Sequence, residues 1–383
     1  MKILFVCDVL GEENNGTTIA AFNVIRYLKS KGHDVRILCC DKDKQGQPGI
    51  FVCPSLNVGP FNNYVRRNGV SLAIADKKIV EEAFKDIDIC HIMTPLLLGC
   101  YCAKYAHKHN IPLTAGFHVQ AENVTNHFFL MNIEFANLAL YKTFYKNLYR
   151  YCDGIHYPSL FIRNTFEKIV GPTPGYVISN GVKDDFKRLD LPRPAEFKDK
   201  FVILCVGRLS KEKKQMILIK AVEKSKYKNI IQIVLAGEGT QQEKLEKEGN
   251  KLPIKPIIKF FNHDEIVNIM NVADLCVHTS SIDLEAISVL ETLACGLVPV
   301  VNASPKSAVK NYALTMHSLF AYNSSLSLAH RIDYWIENPD EKKKISDLYL
   351  NFTKRFDFNT CMEKMENMYL TVIKNHKESK TKV

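Results

Sequence analysis

The stretch from His278 to Asn302 reads HTSSIDLEAISVLETLACGLVPVVN, and the rest of the chain is read outward from it. Ala273 to Thr279, which leads into it, is a short apolar run of strand type. Ser288 to Cys295 has helical composition and stops at Gly296, a residue suited to the left-handed position just past a helix end. Leu297 to Val301 is apolar throughout and rich in valine, as in a strand buried on both faces. In an open α/β sheet the loop between such a strand and helix lies at the strand's carboxyl end, where ligands bind.

That loop carries Asp283 and Glu285, and the helix carries Glu291. The backbone N–H groups of Ile287, Ser288 and Val289 stand at the helix start, where a phosphate can receive them. One turn further in, Glu291 can accept hydrogen bonds from the two hydroxyls of a ribose. A diphosphate with a sugar on each side fits this layout. A plain helix start, with an acid serving the dipole and Glu291 solvated, fits the spacing equally well.

At 383 residues the chain is too long for one ordinary core, so two domains are expected. The composition, 46% hydrophobic and 24% charged, is that of a soluble globular protein. A net charge of +10 favours an acidic partner. No apolar run reaches the length of a membrane span, and the first strand begins at Lys2, leaving no room for a signal peptide. The 12 cysteines form no CxxC pair, which supports neither a zinc site nor a disulfide framework. Buried thiols in a reducing cytosol account for them best.

From the amino end, Lys2 to Val9 reads as a strand, Thr17 to Lys31 as a helix ended by Gly32, and His33 to Cys40 as the next strand. The intervening loop, GEENNGTT, is not the GxGxxG dinucleotide fingerprint. Asn15, Gly16 and Thr17 fit a capped turn or a contact with a phosphate or sugar hydroxyl. Further strands are expected at Ile87 to Met93, Leu113 to His118 and Gly154 to Tyr157. Between the last two, Phe128, Met131, Phe135, Leu138 and Leu148 recur at helical spacing over 126–150, while Lys142, Lys146 and Arg150 stand four residues apart. Like charges at that spacing repel one another. The pattern fits a helix resting on an anionic membrane surface, and it fits a core helix with a solvated basic back.

Ile178 to Phe186 is a turn bearing Asn180-Gly181, and the proline- and charge-rich Leu191 to Lys200 is expected to link the domains. The βαβ rhythm then restarts: strand Phe201 to Val206, loop GRLSKEK, helix Gln215 to Lys224, strand Ile230 to Ala236, loop GEG and helix Gln241 to Glu248. The predicted fold class is α/β, with two doubly wound Rossmann-like domains facing across a cleft. They are expected at 1–190 and 191–355, followed by an amphipathic helix within 356–383 with Met365, Met368, Tyr369 and Val372 on one side. Arg208 and Lys213 follow the first strand of the second half, where each cation could neutralise one side of a diphosphate.

Taken together, FHVQAEN at Phe117 to Asn123, ISNGV at Ile178 to Val182, VGRLSKEK at Val206 to Lys213, LAGEG at Leu235 to Gly239 and the 278–302 stretch resemble the retaining glycosyltransferases of family 4, of GT-B fold. Within that family the sequence looks most like bacterial enzymes near the diacylglycerol glucosyltransferases. The resemblance implies that Arg208 and Lys213 bind a donor diphosphate, that Glu291 holds the nucleotide ribose, and that Asp283 contacts the donor sugar. The family usually has Glu at that last position, and Glu285 is the alternative acid. It also implies that Gly237 and Gly239 lie beside the nucleotide, that His118 lies near the sugar, that Gly16 approaches the diphosphate and acceptor, and that the last helix returns to the first half.

The implied activity is transfer of a hexose from a nucleotide sugar, UDP-glucose by resemblance, to a membrane lipid or lipid-linked glycan, with a soluble or polysaccharide acceptor as the alternative. The expected location is the cytoplasm, peripherally on the inner face of the cell membrane where the acceptor is a lipid. Asp283 and Glu291 belong to one loop–helix unit, so they cannot flank a scissile bond as a double-displacement pair must. The resemblance to retaining enzymes therefore implies same-face transfer, with retention at the anomeric carbon. No Asp-x-Asp pair lies in a suitable loop, so the leaving charge is assigned to Arg208, Lys213 and the helix start, with no required metal or other cofactor. A nucleotide-sugar epimerase would need a first-half acid such as Glu122, and a non-catalytic relative would bind the nucleotide sugar without turnover. Nucleic acid is disfavoured, because the positive residues are spread over both halves without interleaved aromatics.

Overall fold

The apolar runs become the strands of two parallel sheets in the computed structural model, which describes residues 1–8, 10–11, 16–57, 59, 72–126 and 130–381. In the first sheet, β1 (Lys2–Val6), β2 (Asp34–Cys39), β3 (Ile50–Val52), β4 (Ile89–Ile92), β5 (Leu113–Gly116), β6 (Gly154–Tyr157) and β7 (Gly175–Val177) lie in the order β3-β2-β1-β4-β5-β6-β7. In the second, β8 (Phe201–Val206), β9 (Ile231–Ala236), β10 (Ile257–Lys259), β11 (Leu275–His278), β12 (Pro299–Asn302) and β13 (Leu319–Phe320) lie in the order β10-β9-β8-β11-β12-β13. Each pairing is parallel, as helical crossovers between consecutive strands require. Each sheet reverses its strand order once, between β1 and β4 in the first and between β8 and β11 in the second. At such a switch point the loops leave for opposite faces and open a crevice at the strands' carboxyl ends.

Two compact units result, Met1–Asn180 with Cys361–Val383, and Gly181–Thr360. The chain therefore passes between them at Asn180-Gly181, earlier than the proline-rich stretch. Residues 191–200 are no linker, because they are bound into the second unit. Phe197 is buried, and Arg193 donates to Asp274 Oδ2 (2.7 Å) and to the Phe197 and Lys200 carbonyls (3.1 and 2.6 Å).

The helix Phe358–Thr381 starts in the second unit and ends in the first. It buries Met365, Met368, Tyr369 and Val372. The Tyr369 ring stands edge-on to Phe5 of β1 and His91 of β4, with centroids 6.3 and 5.3 Å apart. Glu366 Oε1 lies 2.7 Å from His33 Nε2. This apolar seam, with its polar rim, holds the chain's end on the first sheet.

The 126–150 segment departs from the single helix expected. Phe128 lies outside the described residues. A short helix, Ala121–Asn126, precedes the segment, a second helix runs from Glu134 to Asn147, and a tight turn follows at Tyr149–Tyr151. Asn137, Tyr141 and Phe144 face inward, whereas Phe135 is 81% exposed. Lys142 and Lys146 share the outer face, but Arg150 lies beyond the helix with its guanidinium over the Tyr151 ring (4.6 Å). No helix among the described residues is long and apolar enough to cross a membrane.

Candidate active site

At the switch point of the second unit, β8 and β11 pair side by side, Leu204 opposite Cys276. The loop after β8 carries Arg208 and Lys213, and the loop after β11 carries Asp283. Hydrogen bonds to main-chain carbonyls fasten the two loops together. The Thr279 hydroxyl donates to the Lys213 carbonyl (2.7 Å), and the Ser281 N–H donates to the Glu212 carbonyl (2.9 Å).

The side chains meet as well. Lys213 Nζ lies 2.6 Å from Asp283 Oδ1, and His278 Nε2 lies 2.9 Å from Oδ2. Ser307 Oγ donates to the same Oδ2 at 3.4 Å. The Asp283 side chain is only 4% exposed. Burial alone would favour its neutral form, but the Lys213 cation and His278 outweigh burial and hold the carboxyl well below the usual carboxylate range. Both oxygens are thus engaged by the protein, and what this geometry provides is a fixed Lys213 ammonium. The resemblance assigns Lys213 to the diphosphate and Asp283 to the sugar; their mutual contact, and the parts played by His278 and Ser307, are not read from the sequence. A histidine at the strand end five residues before the acid was the available signal.

Arg208 is 53% exposed, with one loose contact to Glu212 (3.5 Å), and its planar fork is open to a ligand. Its carbonyl accepts from Gln215 Nε2 at 2.8 Å, which holds the loop's return. Gly237 and Gly239 follow β9 and lie against this loop. A Cβ on Gly237 would stand 2.2 Å from the Gly207 carbonyl oxygen, and one on Gly239 would stand 2.4 Å from that of Leu209. The two glycines are therefore required by loop-on-loop packing, whatever the loops bind. Gly16, the first residue of the helix Gly16–Ser30, differs: among the described residues a Cβ there would meet nothing within 4 Å.

The helix Ile287–Ala294 is entered through Ala286, a non-glycine residue in left-handed conformation (φ 60°, ψ 71°). Strain of this kind collects where a ligand site fixes the backbone. The Val289 N–H is taken by the Ala286 carbonyl (3.0 Å), so Ile287 and Ser288 are the first-turn amides that remain for a ligand. The helix closes at Gly296 (φ 89°) with the paired bonds of a Schellman motif, Leu297 N–H to Thr292 and Gly296 N–H to Leu293 (3.0 and 2.9 Å). Glu291, half-buried on this helix, has its carboxyl pushed up to about 7 by burial, with Lys183 drawing it partly back. Glu285 is buried, and its carbonyl accepts from the Tyr312 hydroxyl (2.8 Å).

In the first unit His118 is buried just past β5, and burial, then the neighbouring His156, lowers its imidazole to about 3. Glu122 is also buried and accepts from the Tyr141 hydroxyl at 2.7 Å. This anchors the helix Ala121–Asn126 to the helix Glu134–Asn147. Among the described residues no group of three or more His, Cys, Asp or Glu is arranged to hold a metal ion. All twelve cysteines are free thiols, and Cys100 is the one not fully buried.

Residues 14–186 match the model of Glycosyltransferase Family 4, and residues 187–348 match that of Glycosyl transferases group 1. The chain belongs to glycosyltransferase family 4. This glycosyltransferase is 22% identical over 322 residues to the alpha-monoglucosyldiacylglycerol synthase of Streptococcus pneumoniae, covering 80% of this chain and 72% of that one. Anabaena HepE, solved with UDP and glucose, is 17% identical and superposes with a TM-score of 0.73 over 96% of this chain and 98% of its own. WaaG, a glycosyltransferase of lipopolysaccharide biosynthesis, is 14% identical, with a TM-score of 0.71 over 96% of this chain and 99% of its own. These likenesses place the glycosyltransferase in the GT-B fold, as its two Rossmann-like units require.

Proposed function

We propose that this glycosyltransferase moves glucose from UDP-glucose to a hydroxyl of a membrane lipid, with retention at the anomeric carbon. The observation that carries the proposal is the pair of fastened loops at the β8/β11 switch point. They set Arg208, the locked Lys213 ammonium and the start of the helix Ile287–Ala294 on one edge of the sheet. Two cations and a helix start suit a nucleoside diphosphate, and Glu291 on the same helix suits its ribose.

As the glycosidic bond breaks, negative charge grows on the departing diphosphate. Fixed positive groups lower that barrier because they need not reorganise. On this reading the leaving charge is met by Arg208, Lys213 and the Ile287 and Ser288 amides, with no required metal. Asp283, with both oxygens engaged, is a poor nucleophile, which favours same-face transfer in which the leaving phosphate takes the acceptor's proton. His118, kept neutral by burial, would hydrogen-bond a sugar hydroxyl, and Gly16 would let the acceptor and diphosphate come close.

The acceptor assignment rests on the streptococcal relative, named for making a glucosylated diacylglycerol, and on the basic outer face of the helix Glu134–Asn147. Lys142 and Lys146 there, with Arg150 beyond, suit the anionic inner leaflet of a bacterial cell membrane, with the protein bound peripherally from the cytoplasm. The test is incubation of purified protein with labelled UDP-glucose and membrane lipid extract, with and without chelator. Label entering lipid as the α-anomer, unaffected by chelator, is the expected result. Label entering only water-soluble glycan, epimerised nucleotide, or saturable binding without turnover would each overturn it.

A further inference from the structure

We propose that Gly116 is a positioning residue for His118, the space left by its missing side chain being the seat in which the imidazole lies. β5 ends at Gly116, and His118 follows two residues later. Its ring doubles back over the strand's last residue. A Cβ built on Gly116 would lie 2.3 Å from His118 Nε2 and 2.4 Å from Cδ2. Carbon atoms in ordinary contact stand about 3.5–4.0 Å apart, so any side chain at 116 must drive the ring out by more than about 1 Å.

The intervening residue fixes this direction. Phe117 donates its N–H to the His156 carbonyl (2.8 Å) and buries its ring between Tyr149 (centroids 5.0 Å) and Phe166 (4.8 Å). With Phe117 committed to that aromatic cluster, His118 is returned to the side of Gly116. His156 walls the seat, its ring edge-on to His118 with centroids 5.4 Å apart. It is held in place because its Nε2–H donates to the Ile178 carbonyl (2.7 Å). Burial keeps His118 neutral, so its location matters for hydrogen bonding rather than for charge.

The functional consequence rests on the proposal that His118 contacts the transferred sugar. A misplacement of about 1 Å at such a contact can cost on the order of a hundredfold in rate. The experiment compares Gly116→Ala, His118→Ala and the double variant with the wild type. Removing the ring removes what the added methyl strikes. The double variant is therefore expected to denature at higher denaturant concentration than Gly116→Ala alone, even where that single variant folds poorly. Glucose transfer is expected to fall about a hundredfold in kcat in each single variant and no further in the double, with UDP affinity unchanged in all three. Two results overturn the seat: a double variant no more stable than Gly116→Ala, or a Gly116→Ala protein with wild-type kcat while His118→Ala is impaired. If His118→Ala transfers glucose at the wild-type rate, the sugar contact fails, and the stability comparison alone decides whether Gly116 seats the ring.

Discussion

Lys213 and Asp283 meet at 2.6 Å although 70 residues separate them in the chain. The contact exists because β8 and β11 are neighbours across the switch point, and His278 closes it from the other carboxylate oxygen at 2.9 Å. Replacing Asp283 by Ala leaves the Lys213 ammonium beside a hole. Breaking one side of a buried pair costs about 3–5 kcal/mol. Equilibrium denaturation of Asp283→Ala should show a loss of that order, and kcat should fall with it because Lys213 is no longer held. A loss under about 1 kcal/mol would mean that the pair is a surface contact.

Glu291 ties donor binding to pH. Its carboxyl sits at about 7 in the folded protein, above the unfolded value of about 4.3. A raised acid stabilises the fold through its protonated form, so this contribution is full below about pH 4 and is lost as pH rises towards 7. The stability of the ligand-free protein should therefore decline over that window, and Glu291→Gln should flatten the decline. The carboxylate is the better acceptor for ribose hydroxyls, so UDP-glucose should bind more tightly as pH rises through 7. Lys183→Ala should move that midpoint upward. Calorimetric titrations from pH 5.5 to 8.5 check both signs.

Three glycines assigned to one site separate by physical cause. Gly237→Ala and Gly239→Ala each set a methyl against a carbonyl oxygen of the neighbouring loop, so both should lose UDP-glucose affinity and about 1–3 kcal/mol of stability. Gly16→Ala meets no atom within 4 Å among the described residues, and it should leave the denaturation midpoint unchanged while lowering transfer. Equal stability losses in all three would refute the distinction.

Which of these relationships were legible depends on whether the cause was local. The strand–loop–helix rhythm around Arg208, Lys213 and Asp283 could be read because apolar runs and loop residues are local signals. The Lys213–Asp283 pair and the Gly237 contact with Gly207 could not, since both arise from strand order. β3, β7, β10 and β13 have two or three residues each, too few to show any period. Residues 191–200 looked like a linker because proline and charge mark irregular chain, yet irregular chain can still bury a Phe197. Phe135 shares helical spacing with its apolar neighbours, but spacing alone does not say which face of the helix Glu134–Asn147 packs inward, and Phe135 faces out.

The outward Phe135 sharpens the membrane prediction. It precedes Lys142 and Lys146 on the outer face of one helix, an apolar end followed by a basic run. Lys142→Glu with Lys146→Glu should weaken binding to phosphatidylglycerol vesicles by about 1 kcal/mol or more per site, and Phe135→Ser should weaken it further. Wild-type binding should fall as salt rises. Sedimentation with vesicles measures both, and binding unaffected by either change would remove this helix from the membrane surface.

The central claim is that Arg208, Lys213 and the helix start after Ala286 grip one nucleoside diphosphate. Its most direct test is calorimetric titration of UDP-glucose into the wild type and into Arg208→Ala, whose exposed side chain can be removed without disturbing the fold. The account predicts saturable one-to-one binding that weakens at least tenfold in the variant, with an unchanged denaturation midpoint. Binding of equal strength in both proteins, or none to the wild type, would contradict it.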